Sequence, residues 1–95
     1  MKLKWTRFAL QDLKYLHDYI AEDNPSAAKR IVSRIKDAAN NLRQHSHIGR
    51  VGRVPDSREL IIAGTPYIVV YSVEKGCICI VSVIHTAMRW PESFP

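Results

Sequence analysis

Few side chains in this sequence could carry acid–base or phosphate chemistry. Arg58 precedes a long apolar stretch, His85 closes it, and Arg89 lies just beyond; Arg50 and Arg53 stand in the Gly-rich segment before it. A guanidinium stabilises phosphate charge, and an imidazole titrates close enough to neutrality to give or take a proton. Arg58 and His85 are therefore the candidate catalytic residues, with Tyr67 the further side chain able to transfer a proton. As a lone histidine at a strand end, His85 has the alternative role of a structural hydrogen-bonding residue. Asp56 and Glu59 flank the first apolar run; no paired-carboxylate site is apparent, and they are as easily surface residues.

Metal chemistry finds little support. The histidines at 17, 45, 47 and 85 are scattered, and only His45 and His47 lie close in sequence. Cys77 and Cys79 would share one face of a strand with Cα atoms about 6.6 Å apart, near the limit for a bridge. A lone C-x-C lacks the second pair that a zinc site needs. The two cysteines are expected to be small, reduced core residues, and neither metal nor cofactor is expected. Gly49-Arg50-Val51-Gly52-Arg53 lacks the lysine and hydroxyl of a phosphate-cradling loop. It offers two guanidinium groups on a flexible tether.

These residues must be positioned by the elements around them. Residues 60–63, 67–73 and 77–84 are rich in β-branched and aromatic side chains, and Gly64-Thr65-Pro66 and Lys75-Gly76 separate them. Connections so short favour hairpins, so a three-stranded antiparallel meander is expected. Its strands run up, down, up, which puts Arg58 and His85 at opposite ends. Before it, residues 2–5 alternate polar and apolar as a short strand able to join the sheet. Thr6 is a plausible N-cap for a helix whose apolar face is Ala9, Leu13, Leu16 and Ile20. Asn24 and Pro25 end that helix and start a second, with a face of Ala28, Ile31, Ile35, Ala38 and Leu42. The turn between them is short enough for an antiparallel helical hairpin. Residues 45–56 read as a long loop, of the kind that more often carries function. The fold class is α+β, with the meander packed on the hairpin in a single domain of residues 1–95.

Apolar residues are 46% and charged residues 24% of the chain, the balance of a soluble globular protein. No apolar run of roughly 18 residues is present, and the N-terminus lacks the apolar core of a signal peptide. No membrane partner is expected, and the cytoplasm is the expected location. The net charge is +5. It concentrates between Arg43 and Arg58, where Arg43, His45, His47, Arg50, Arg53 and Arg58 face only Asp56. Such a field suits an acidic partner, nucleic acid or protein; the alternative is a solvated basic loop.

Several short motifs recur in a characteristic order: Asn-Pro-x-Ala-Ala at 24–28, Gly-Arg-x-Gly-Arg at 49–53 and Arg-Glu-Leu at 58–60. Pro-Tyr-Ile-Val-x-Tyr at 66–71 and Val-Ile-His-x-x-x-x-Trp-Pro at 83–91 complete the set. Each is weak alone; together they span nearly the whole chain and resemble the RelE/ParE superfamily of type II toxin–antitoxin toxins. The resemblance implies a cognate antitoxin whose acidic, amphipathic C-terminal segment folds as it binds. One branch of the superfamily cleaves mRNA on the ribosome; the other poisons DNA gyrase. Arg-Glu-Leu, Pro-Tyr and the Val-Ile-His ending resemble the ParE-like, plasmid-stabilisation branch, and the basic C-terminus with a late tyrosine of the RelE branch is missing. Gyrase inhibition that blocks replication, without enzymatic activity, is thus the expected function, with Arg50, Arg53, Arg89 and Trp90 as target contacts. The alternative is a metal-independent, ribosome-dependent endoribonuclease relying on Arg58 and His85. An inactive toxin kept by its antitoxin is a third reading.

Overall fold

Strand β1 (Lys2–Trp5) leads directly into helix α1 (Arg7–Ala21) through the N-cap Thr6. The Thr6 hydroxyl accepts the Ala9 N–H at 3.1 Å, satisfying one of the amides a helix start leaves open. Asn24 does the same for helix α2 (Pro25–Asn41), accepting the Ala27 N–H at 3.0 Å. This computed structural model describes residues 1–87 and Phe94. The remaining elements are β2 (Arg50–Val51), β3 (Arg58–Ile61), β4 (Tyr67–Glu74) and β5 (Cys77–His85).

The sheet has five strands in the order β1-β5-β4-β3-β2. Strands β3, β4 and β5 form the expected antiparallel meander, and β1 joins its β5 edge in parallel, with Lys2 opposite Cys77 and Trp5 opposite Ile80. A parallel neighbour needs a long connection, which both helices and the rest of the chain provide. One expectation needs correction: residues 45–56 are not loop throughout. Arg50 pairs with Glu59 and Val51 with Arg58, so β2 forms the opposite edge. A two-residue strand between Gly49 and Gly52 leaves no periodicity to read.

The helices cover one face of the sheet. Ala9, Leu13 and Leu16 from α1 and Ile35 and Ala39 from α2 pack with Leu42 against Val69, Tyr71, Ile78, Ile80 and Val83. Ile20, Ile31 and Ala38, expected on these helix faces, sit at the rim of the same core. On the far face, Ile68, Val70 and Ile84 form a smaller cluster with Val81 and Phe94. Cys77 and Cys79 carry free thiols but are half-buried, not core residues as expected. They alternate with Ile78 and Ile80, which take the helix-facing side, so the cysteines point to the thinner one.

The β4–β5 register shifts between Val70 and Tyr71: Val70 is opposite Ser82 and Tyr71 opposite Ile80, which leaves Val81 as an extra residue. Asp12 of α1 occupies this irregularity. Its Oδ2 accepts the Ser82 hydroxyl at 2.7 Å and the Val83 N–H at 2.9 Å, fixing helix to bulge.

Candidate functional site

Glu59 organises the basic end of the sheet. It lies on the face turned away from the helices, beside Val70, and is only 3% exposed. Its Oε1 accepts two bonds from Arg50, from Nε at 3.1 Å and Nη2 at 2.9 Å. Its Oε2 accepts the Arg53 backbone N–H at 2.8 Å, and Arg53 Nε stands 3.5 Å away. Burial alone would push the Glu59 carboxyl up; the Arg53 N–H and the Arg50 guanidinium, with the charge of both arginines, outweigh it and hold the carboxyl below its ordinary value. The two arginine side chains remain 51% exposed. A buried carboxylate thus sets two guanidinium groups at fixed positions on the surface, where a tether of mobile arginines was expected. Of the two readings open for Glu59, the surface one does not hold, because the side chain is buried. The available signal was a carboxylate inside an otherwise apolar strand, with two arginines a few residues upstream.

Arg58 serves the same loop from the other face. Its Nη1 donates to the Gly49 carbonyl at 2.8 Å. The Gly49 N–H donates to the Tyr71 hydroxyl at 3.0 Å, and that hydroxyl donates to the Ser46 carbonyl at 2.9 Å. Tyr71 is fully buried; burial pushes its phenol up, and the Gly49 N–H and Arg58 partly offset this. Gly49 must be glycine, because a Cβ there would stand 2.6 Å from the Tyr71 hydroxyl and 3.0 Å from the Glu59 carbonyl.

His85 lies elsewhere. It pairs with Tyr67, whose ring meets the imidazole edge-on at 5.4 Å and 89°. Its Nδ1 accepts the Ala87 N–H at 3.0 Å, which leaves Nε2 to carry the proton of the neutral ring. Arg58 faces Tyr71 and His85 faces Tyr67, so the two candidates are separated by four residues along β4 and two strand spacings. That amounts to about 16 Å. The structure does not bring them together, as the up-down-up order implies. Tyr67 offers no substitute base, since burial, and then the neighbouring Tyr19 phenol, push its own phenol up. Arg89 and Trp90 lie outside the described residues.

Among the described residues no three His, Cys, Asp or Glu side chains converge as metal ligands, and no helix is long and apolar enough to cross a membrane. What the basic end presents is a rigid cationic surface able to contact an acidic or phosphate-bearing partner.

Residues 3–90 match the model of a family described as the ParE toxin of the type II toxin–antitoxin system parDE. The provisionally named toxin Y4kP of Sinorhizobium fredii is 37% identical over 91 residues, covering 96% of this chain and 94% of that protein. Toxin RelE2 of Caulobacter vibrioides is 39% identical over 83 residues, 87% of this chain and 92% of its own. A solved chain from the chromosomal ParDE toxin–antitoxin system of P. aeruginosa superposes with a TM-score of 0.81 at 31% identity. The superposition covers 90% of this chain and 95% of that one.

Proposed function

Since this chain belongs to the ParE toxin family of type II toxin–antitoxin systems, we propose that its toxic act is to bind and poison DNA gyrase, and so block replication. Membership makes it a toxin and implies an antitoxin partner. On our reading the antitoxin neutralises it with an acidic, amphipathic segment that folds onto the basic surface.

The observation that carries the gyrase assignment is the engagement and separation of the two candidate catalytic residues. Metal-free RNA cleavage requires a proton-transfer group and a charge-stabilising group around one scissile phosphate. Arg58 is committed to the Gly49 carbonyl, and His85 is capped by Ala87 about 16 Å away. Arg50 and Arg53, by contrast, are half exposed and held in place by Glu59. Such an arrangement supports binding better than catalysis. The alternative reading, a ribosome-dependent endoribonuclease, would rely on Arg58 and His85.

Two substitutions separate them. Arg53→Gln keeps the backbone N–H on Glu59 and removes a guanidinium; on our reading it weakens gyrase inhibition by about tenfold in a supercoiling assay, the scale of one charge-assisted contact. His85→Ala leaves inhibition unchanged. Loss of toxicity in His85→Ala with full toxicity in Arg53→Gln would reverse the assignment.

A further inference from the structure

A cavity of about 420 Å³ between α1 and one end of the sheet is lined by neither Arg50 nor Arg53. Asp12, Tyr15 and Tyr19 line it from one stripe of α1, Leu16, Tyr67 and Val83 form its apolar floor, and His85 and Ala87 complete the lining. Tyr15 and Tyr19 are 64% and 73% exposed, a large outlay of aromatic surface on the side of a helix that the core does not need. Asp12 is the carboxylate of the lining. Its Oδ2 is occupied by Ser82 and Val83, which fixes the group in place, and its Oδ1 has no hydrogen bond within the described residues.

We propose that this pocket seats an arginine side chain of the antitoxin, with its guanidinium stacked on the tyrosines and paired with Asp12 Oδ1. The inference rests on the toxin–antitoxin reading above. An arginine stem is apolar and suits Leu16 and Val83, while its planar, weakly hydrated head suits aromatic faces and a carboxylate together. An acidic side chain would be repelled by Asp12. A purely aliphatic one would cover Oδ1 without pairing it, and a buried unpaired carboxylate oxygen is costly. The site is also an exception in a chain of net charge +5. An acidic partner segment drawn to the basic end needs its register fixed, and one basic residue meeting one acidic pocket does that.

The pocket is tested first by NMR on the antitoxin-free protein, with N-acetyl-arginine methylamide as probe and the norleucine analogue as control. The arginine probe is expected to shift the Tyr15 and Tyr19 ring resonances and to bind about fivefold more tightly than norleucine. Tyr19→Ala and Asp12→Asn should each abolish that preference. Tyr19 is exposed, and asparagine keeps an acceptor for Ser82 and Val83, so both variants keep the fold. Equal binding of the two probes, or none, overturns the proposal. In the second arm the cognate antitoxin is titrated against wild type and Asp12→Asn. The expected result is about a tenfold loss of affinity, with no further loss when the seated arginine of the antitoxin is changed to glutamine. An antitoxin that binds both toxins equally overturns the proposal and leaves the toxin reading standing. An antitoxin that does not bind wild type overturns that reading and the proposal with it.

Discussion

Glu59 makes simple charge reversal a poor probe of Arg50 and Arg53, the arginines proposed to contact the target. A carboxylate 3% exposed is tolerable because its oxygens receive the Arg50 guanidinium and the Arg53 N–H. Removing Arg50 leaves the buried carboxylate with Arg53 alone, so Arg50→Gln should cost about 1–2 kcal/mol in a urea melt, the scale of a charge-assisted hydrogen bond. Replacing either arginine by glutamate would set a second carboxylate against the first, and lost toxicity would then report lost structure. The same logic fixes the pH response. Because the folded-state pKa of Glu59 lies below its ordinary 4.5, its contribution is present above that value and is lost as the pH falls below it. Stability measured from pH 6 down to pH 3 (an interval of roughly three units around that window) should fall more steeply in wild type than in Arg50→Gln. Identical slopes would show that the pair is not coupled to folding.

Among the elements, the helices were the most legible in the sequence and β2 the least. Ala28, Ile35 and Leu42 are buried at seven-residue intervals, and Thr6 and Asn24 cap as their side chains allow, because both signals are local. The meander was legible for the same reason, through its short Gly-containing turns. The pairing of Arg50 with Glu59 was not, since it depends on a contact nine residues apart between groups that both look like surface residues. Nor could spacing alone show that β1 runs parallel to β5. The site followed this division: the separation of Arg58 from His85 was readable from strand direction, whereas the tethering of Arg58 to Gly49 was not. Gly49 is the test of that tether. Gly49→Ala forces a Cβ against the Tyr71 hydroxyl and its ring carbon Cε1 and should destabilise by about 1–3 kcal/mol, in the range for overpacking, while the Tyr71→Phe, Gly49→Ala double variant, which keeps Cε1, recovers only the hydroxyl's share of the loss. Purely additive losses would show that the glycine is needed for another reason.

At the scale of the whole molecule, the helices cover one face of the sheet and the β2 edge carries two half-exposed arginines, an arrangement that fits the proposed binding of a charged partner. A net charge of +5 makes that binding salt-sensitive. The association rate with the antitoxin should therefore fall by about tenfold between low and physiological ionic strength in stopped-flow measurements, while the dissociation rate changes little. A salt-independent rate would remove the steering role of the basic end. The central claim, that the chain acts by holding gyrase and not by cutting RNA, is tested most directly by two assays on one preparation of antitoxin-free protein. Gyrase supercoiling and cleavage-complex formation are followed in one, and mRNA integrity on translating ribosomes in the other. The account predicts inhibited gyrase and intact mRNA; cleaved mRNA with unaffected gyrase would contradict it.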